Sequence, residues 1–166
     1  HEMFYMMIRI DKTFDKTYMN FLREHIKPRF EEEIVYQKIP TFRVQLPGNI
    51  AVGEWHKDKD YRNLDWAEKV KEVNYYLPLT KAYDTNTIWA ESEEDKGDFK
   101  PMNSNYGECI EWKASKLTHG NKDNVTSITR VSVDFRVIPK SRYIESNHLT
   151  INTKIPFGIG GYYEVL

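Results

Sequence analysis

The stretch HGNKDNVTSITRVSVDFR, residues 119–136, carries the clearest pattern in this chain. Gly120 to Asn124 are residue types that favour tight turns, so they predict a polar turn opened by His119. Apolar and polar residues then alternate with a period of two, which predicts a β-strand. The apolar face carries Val131, Val133, Phe135 and Val137, and the other face carries Arg130, Ser132, Asp134 and Arg136. An amphipathic strand with one wet face would explain this pattern, unless other parts of the chain give the polar face a role.

A second stretch, GEWHKD at residues 53–58, places His56 and Asp58 two residues apart. On a strand, which we predict here, both side chains point to the same side. A histidine and a carboxylate on one face, joined by a distant histidine, form the 2-His-1-carboxylate triad. That triad binds a non-haem iron through three protein ligands and leaves other coordination positions open. His119 is the histidine that completes this set.

The spacing after His119 gives the polar strand face a role. Arg130 follows His119 by eleven residues, so a turn and a returning strand can place it some distance from the metal. Its planar guanidinium is suited to bind a carboxylate through two parallel hydrogen bonds. Ser132 lies on the same face and can donate its hydroxyl to the same carboxylate.

Together these motifs resemble the Fe(II)- and 2-oxoglutarate-dependent oxygenases. The resemblance covers roughly Thr41 to Pro139. Within that family, the sequence segments around these motifs are similar to a branch typified by a streptomycin-biosynthesis oxygenase. That branch is distantly similar to phytanoyl-CoA hydroxylases. These segments are NYYLPLT (74–80), NTIWAES (86–92), HGN (119–121) and TRVSVDFR (129–136).

The resemblance implies a mainly β fold, a double-stranded β-helix of the jelly-roll or cupin-like kind, with one or two flanking helices. We therefore expect one oxygenase domain over residues 1–166. It would comprise an N-terminal helix at about 14–26, a barrel at about 41–139 and a C-terminal extension at 140–166. Residue patterns add further expected strands, which are Met3–Ile10 at an edge, Gly53–Asp58, Val73–Thr80, Asn86–Ser92 and Glu108–Ser115.

The resemblance also implies the ligands of the site. Fe(II) would be bound by His56, Asp58 and His119, and 2-oxoglutarate by Arg130 and Ser132. A further polar contact to 2-oxoglutarate is expected on the strand after the first two ligands, from Asn74 or from Tyr76. The implied reaction consumes O₂, releases succinate and CO₂, and hydroxylates a C–H bond. Related halogenases lack the carboxylate, so Asp58 favours hydroxylation or another oxidation.

Substrate contacts are predicted from residues near these motifs. The candidates are Tyr61, Tyr76, Trp89 and Glu91. Trp89 could stack on a sugar ring, and Glu91 could meet a cationic or polyhydroxylated group. The branch suggests a small polar metabolite, such as a sugar, an aminocyclitol or an amino-acid derivative.

Composition excludes several other classes of function. The 166 residues include 24 Lys and Arg against 25 Asp and Glu, so the net charge of −1 gives no basic footprint for nucleic acid. No apolar run approaches the length of a membrane span. Cys109 is the single cysteine, which fits a reducing cytoplasm. We expect a cytoplasmic enzyme with a small-molecule substrate, and the sequence leaves a homodimer open.

Two other interpretations remain at this point. A cupin-like metalloenzyme with non-redox chemistry, an isomerase or lyase, could use the same two histidines and Asp58 but would not need Arg130. A carbohydrate-binding jelly roll without turnover would need the aromatic residues but no transition metal.

Overall fold

The computed structural model describes residues 2–51, 53–61, 66–146, 148–150 and 154–166. Contacts divide the chain into two compact units. One, the terminal unit, comprises His1–Ile39 and Val137–Leu166, and the other, the central unit, comprises Pro40–Arg136. The central unit contains all the predicted ligands of the metal and of 2-oxoglutarate.

The terminal unit begins with helices. Helix α1 is Glu2–Ile10 and α2 is Lys12–Phe21, followed by a π-helical turn at Leu22–Ile26 and a 3₁₀ turn at Lys27–Arg29. The helical stretch predicted at 14–26 is confirmed, and the Asp11 side chain caps α2 by accepting a hydrogen bond of 2.8 Å from the Thr13 N–H.

The prediction of an edge strand at Met3–Ile10 is wrong, because this segment is α1. Its apolar residues do not alternate strictly, and a helix brings Phe4 and Ile8 to one side, one turn apart. Ile8 is buried, and the Phe4 ring contacts the Phe14 ring of α2 edge to face at 5.3 Å. Packing between the two helices therefore decides a segment whose local pattern is ambiguous.

Three short antiparallel stretches complete the terminal unit. Strand β1 is Ile34–Gln37, and it pairs with the end of β8, where Val35 lies opposite Ile138. On its other side β1 pairs with β9, Tyr163–Val165, in the region expected as a C-terminal extension. Strand β8 itself is Arg130–Pro139, so its residues from Val137 onward belong to this unit.

The central unit consists of two antiparallel sheets. The first sheet contains β2 (Thr41–Gln45), β3 (Val73–Pro78) and β6 (Ile110–Trp112). In this sheet β8 pairs with both β2 and β3, and β3 pairs on its other side with β6. In the second, β4, Ile88–Ala90, lies between β5, Lys100–Pro101, and β7, His119–Asn121. The predicted mainly β character is confirmed, and the sheets are antiparallel, while the double-stranded β-helix stays a prediction.

Some predicted strands have other bounds in the structure. The strands expected at Asn86–Ser92 and Glu108–Ser115 shorten to β4 and β6, and Asn86 ends a 3₁₀ turn, Asp84–Asn86. A short helix, α3 (Trp66–Lys69), precedes β3. Among the described helices none is both long and apolar enough to cross a membrane.

The predicted β8 strand is confirmed, and both of its faces are buried within the central unit. On the apolar face Phe135 is buried and stacks on Tyr75 of β3 at 5.2 Å. On the polar face Arg130, Ser132 and Arg136 are also buried. The polar face is therefore not a wet surface, and its charged groups need partners inside the protein or in a ligand.

Candidate metal centre

A backbone contact brings the two predicted histidine ligands together. The His56 N–H donates to the His119 carbonyl at 3.0 Å, and the His119 N–H donates to the His56 carbonyl at 2.9 Å. His119 itself begins β7, which pairs with β4 so that Ala90 lies opposite it. Two residues 63 positions apart in sequence thus share one pair of hydrogen bonds.

Two local predictions about these segments are wrong. Gly53–Asp58 is not a strand, since only His56 forms a β-bridge and a 3₁₀ turn, Asp58–Tyr61, follows. The Asp60 carboxylate accepts a hydrogen bond of 2.9 Å from the Lys57 N–H, and this turns the chain directly after His56. His119 does not open a turn, because β7 extends to Asn121, whose side-chain amide donates to the Thr87 carbonyl at 3.1 Å.

The three predicted metal ligands nevertheless converge. The Asp58 Oδ1 atom lies 3.6 Å from His56 Nε2 and 3.7 Å from His119 Nε2. One ligand atom from each residue lies within 4.8 Å of the others. Two imidazole nitrogens and a carboxylate oxygen at this spacing are a donor set that fits a divalent transition metal.

Hydrogen bonds at the far side of each ring orient both imidazoles. His56 Nδ1 lies 3.0 Å from the Glu54 carbonyl oxygen, and His119 Nδ1 lies 2.8 Å from the Leu117 carbonyl oxygen. A carbonyl only accepts, so in both rings Nδ1 carries the proton. Each neutral ring then directs the lone pair of Nε2 toward Asp58, as metal-binding histidines do.

The two histidines differ in their electrostatic surroundings. A side-chain hydrogen bond with Asp58 is the main cause that raises the pKa of His56. Burial is the main cause that lowers the pKa of His119. Because a metal binds the neutral imidazole, His119 is the ring whose surroundings favour the binding form in the absence of an ion.

The second oxygen of Asp58 has a different partner. Asp58 Oδ2 accepts a hydrogen bond of 2.6 Å from Arg136 Nη2. Arg136 Nε also lies 3.5 Å from Oε1 of Glu72, which follows α3. The carboxylate of Asp58 is therefore held between the two histidines on one side and a buried guanidinium on the other.

The predicted carboxylate-binding pair lies at the start of β8. Arg130 and Ser132 are both 0% exposed. None of the three guanidinium nitrogens of Arg130, and not the Ser132 hydroxyl, makes a hydrogen bond of normal geometry with a described residue. Leaving a buried guanidinium without an anion is costly, so this pair fits the carboxylate of a bound organic acid.

Tyr76 of β3 is a polar residue that interacts with both Arg130 and Ser132. Burial raises the pKa of Tyr76, whereas Arg130 and Ser132 act in the opposite direction. The phenol is therefore neutral at physiological pH and does not balance the charge of Arg130. Its hydroxyl lies 3.3 Å from the Thr87 hydroxyl, which itself donates to the Met102 carbonyl at 2.8 Å.

Asn74, the other residue considered for this contact, has a partner elsewhere. Its Oδ1 accepts a hydrogen bond of 3.2 Å from the Ala114 N–H. Of the two residues, Tyr76 is therefore the one that the structure places with Arg130. A role of Asn74 in binding a co-substrate stays a prediction.

Trp89, another substrate candidate, contacts other parts of the chain. Trp89 of β4 lies opposite Gly120 of β7, so its side chain is on the other face of this sheet from His119. The Lys122 ammonium lies over the Trp89 ring, 3.3 Å from the ring centroid. The side chain of Tyr61 lies outside the described residues. Substrate binding by either residue stays a prediction.

Glu91 is a buried carboxylate with structural partners. It accepts hydrogen bonds from the Thr118 N–H at 2.6 Å and from the Gly97 N–H at 3.2 Å. Burial raises the pKa of Glu91, but these backbone hydrogen bonds outweigh burial and lower the pKa to about 2. Its contacts join the loop before His119 to the turn at Gly97, and its predicted role toward a substrate stays a prediction.

Sequence reasoning missed two neighbours of the triad. The Trp112 ring contacts the His119 ring edge to face at 4.8 Å. The alternation in Glu108–Ser115 places Trp112 on one face of a strand just before His119, and this signal could have identified it. Glu72 has no comparable signal, because its contact with Arg136 depends on the tertiary fold.

The comparisons with known proteins agree with part of this interpretation. No family model matches the chain. Streptomycin biosynthesis protein StrG of Streptomyces griseus is 40% identical over 137 residues, which cover 82% of this chain and 63% of that protein. The chain is similar to a streptomycin biosynthesis protein. The predicted resemblance to a streptomycin-biosynthesis protein is thus confirmed, while membership of the Fe(II)- and 2-oxoglutarate-dependent oxygenases stays a prediction.

Solved structures give a similar fold. A structure described as "Non-heme monooxygenase, ThoJ-Ni complex" matches with a TM-score of 0.53 and 14% identity, over 68% of this chain and 47% of that chain. The apo form of ThoJ gives a TM-score of 0.53 and 13% identity, over 68% and 49%. The chain therefore spans less than two thirds of the length of StrG and about half that of ThoJ.

Proposed function

We propose that this chain contains the metal and co-substrate sites of a non-haem Fe(II)- and 2-oxoglutarate-dependent dioxygenase. His56, Asp58 and His119 would hold the iron, and the two sheets of the central unit would form the double-stranded β-helix of that family. The substrate would be a small polar metabolite, hydroxylated in a biosynthetic pathway.

The observation that carries this proposal is the buried guanidinium of Arg130. Any metalloenzyme with this triad needs the three ligands. An organic acid as co-substrate would in addition provide the carboxylate partner that the buried Arg130 lacks among the described residues. Its place on the polar face of β8, with Ser132 and near Tyr76, provides donors for one carboxylate group.

The chain's residues then have separate tasks. Arg130 would bind the C5 carboxylate of 2-oxoglutarate through its planar fork, with hydroxyl donors from Ser132 and Tyr76. Because Arg130 and Ser132 are buried, this charge pair would be screened little by water. The backbone carbonyls of Glu54 and Leu117 keep the protons of His56 and His119 on Nδ1, so that both Nε2 atoms remain available to the metal.

When bound, Fe(II), 2-oxoglutarate and O₂ supply the oxidation of a C–H bond to an alcohol, with release of succinate and CO₂. Related halogenases lack this carboxylate, and Asp58 as a ligand would leave no such vacancy for a halide, so its presence supports hydroxylation. The name of StrG supports a role in small-molecule biosynthesis, and the fold shared with ThoJ supports an oxygenase.

The first test is an anaerobic titration with Fe(II), with and without 2-oxoglutarate. We expect a weak visible charge-transfer band that requires both components and that disappears in His119→Ala. Release of succinate in the presence of O₂ would then allow candidate polar metabolites to be screened. Arg130→Met should bind Fe(II) normally and need far more 2-oxoglutarate to give the band.

Two results would contradict the proposal. Bound Fe(II) without a band at saturating 2-oxoglutarate would favour the non-redox metalloenzyme. A wild-type protein that binds no divalent metal would favour the carbohydrate-binding module.

A further inference from the structure

The two oxygens of Asp58 have divided roles in the structure. Oδ1 faces the Nε2 atoms of His56 and His119 at 3.6 and 3.7 Å, while Oδ2 is bound by Arg136 Nη2 at 2.6 Å. Asp58 and Arg136 are each only 8% exposed, so this charge-assisted bond forms away from bulk water. A short bond of this type is among the strongest hydrogen bonds that a carboxylate makes.

Glu72 holds the same guanidinium from another side. Its Oε1 lies 3.5 Å from Arg136 Nε, and the Glu72 side chain is fully buried. One guanidinium thus lies between two carboxylates, and with both charged the three groups carry a formal net charge of −1. A divalent cation at Asp58 Oδ1 would compensate this buried negative charge.

We propose that Arg136 is a positioning residue that makes Asp58 a one-oxygen ligand of the metal, with Glu72 fixing the guanidinium. This inference rests on the proposed metal centre. A carboxylate with both oxygens free can bind a cation through one oxygen or through two. The bond to Arg136 removes the second oxygen and fixes the plane of the carboxylate.

The consequence concerns the number of open coordination positions. An octahedral ion bound by two histidines and one carboxylate oxygen keeps three positions, enough for a chelating 2-oxo acid and O₂. A two-oxygen Asp58 would leave only two. The Arg136–Glu72 pair would therefore preserve the coordination position that an oxygenase needs, without contacting metal, substrate or co-substrate.

The same strand offers a matched control. Asp134, the acidic residue on the polar face of β8, is bound by Arg43 Nε at 2.8 Å. This second arginine–carboxylate pair lies in the same sheet, where Arg43 pairs with Ser132 in register. Arg43 affects the charges of His56 and Asp58 through space, but among the described residues its ion pair is with Asp134 and not with a metal ligand. Arg43→Lys keeps the positive charge and perturbs only the geometry of this similar pair.

The experiment uses Co(II) as a spectroscopic probe of metal binding. The variants are Arg136→Lys, the double variant Arg136→Met with Glu72→Gln, and the control Arg43→Lys. The double variant removes the cation and one buried anion together, which limits damage to folding. Circular dichroism and thermal unfolding show which variants are folded, and titration gives the Co(II) affinity and the visible d–d spectrum.

We expect the double variant to bind Co(II) about 10–100-fold more weakly than wild type, the usual effect of removing a group that orients a ligand. Its d–d spectrum should also change, because Asp58 could then bind Co(II) through one oxygen or through both. Arg136→Lys should be intermediate, since one ammonium cannot hold both carboxylates. Arg43→Lys should match wild type in affinity and spectrum.

The inference is overturned by wild-type affinity and spectrum in the folded Arg136 variants, or by equal losses in Arg43→Lys. If wild type binds no Co(II), both this inference and the proposed function fail. If wild type binds Co(II) but Fe(II) and 2-oxoglutarate give no charge-transfer band, only the proposed function fails. The Co(II) data then still decide the role of Arg136.

Discussion

Arg130 and Arg136 lie on the same face of the same strand and are both buried, yet their surroundings are opposite. Arg136 lies between Asp58 and Glu72, at 2.6 and 3.5 Å. Arg130 has no carboxylate at ion-pair distance in the part of the chain that the structure describes, and its nearby phenol, Tyr76, is neutral. Arg136 therefore has two carboxylate partners within the protein, whereas Arg130 has none among the described residues.

This difference separates two uses of a buried charge. A buried cation with protein partners contributes to the structure of the site, and its removal leaves its partners without compensation. A buried cation without such partners costs free energy of folding, and a ligand of opposite charge recovers that cost on binding. Stability measurements can therefore distinguish the two arginines even before the substrate is known.

The largest effect is expected for Arg136→Met. This substitution removes the guanidinium that pairs with Asp58 Oδ2 and with the Glu72 carboxylate, both buried, and it should lower the free energy of unfolding by about 3–5 kcal/mol. Urea denaturation of the metal-free protein, followed by tryptophan fluorescence, measures this change. A loss below about 1 kcal/mol would mean that the ion pairs do not contribute to folding and would remove the contrast with Arg130.

Arg130→Met should have the opposite effect on stability and raise the free energy of unfolding. Because the wild-type guanidinium lacks an anion, a methionine of similar length should raise the free energy of unfolding by about 1–3 kcal/mol. The wild-type protein should gain thermal stability from 2-oxoglutarate in the presence of a redox-silent metal, and the variant should gain much less. The metal alone should stabilise both proteins equally, which provides the control.

A destabilised Arg130→Met protein would contradict the comparison. It would mean that Arg130 has a compensating partner within the chain, and the argument for an organic acid as co-substrate would lose its main support.

The contrast between the two arginines was only partly predictable from sequence. The alternation of residues 130–137 identifies the strand and its polar face, since a period of two is a local property. The offset of eleven residues from His119 predicts a role for Arg130. The partner of Arg136 depends on Glu72, 64 positions earlier, and no local pattern indicates that pairing.

The same limit applies to two other predictions. Asn74 and Tyr76 share one face of β3, and the sequence pattern does not tell which of them lies near Arg130. In the structure Asn74 accepts a hydrogen bond from the Ala114 N–H, and Tyr76 interacts with Arg130. The spacing of His56 and Asp58 predicts a strand at Gly53–Asp58, but the hydrogen bond from the Lys57 N–H to Asp60 bends the chain into a turn. The ligands of the motif still converge, because the His56–His119 backbone pair fixes them.

Glu91 provides the test with the smallest expected effect. Like Arg136, it is a buried charge whose partners lie within the protein. Backbone N–H groups of Thr118 and Gly97 lower its pKa from the ordinary value of 4.5 to about 2. A depressed carboxylate pKa contributes stability that is fully present above pH 4.5 and is lost as the pH falls toward 2. Glu91→Gln keeps an acceptor without the charge, so it should cost about 1 kcal/mol at neutral pH.

The difference in unfolding free energy between wild type and Glu91→Gln should therefore shrink between about pH 4.5 and pH 2, as measured by urea denaturation at each pH. Affinity for 2-oxoglutarate and for metal should not change, since the contacts of Glu91 are with the backbone of Thr118 and Gly97. If instead stability were unchanged and turnover of a candidate metabolite were lost, Glu91 would be a substrate contact. It would then resemble Arg130, a buried charge kept for a ligand, rather than Arg136.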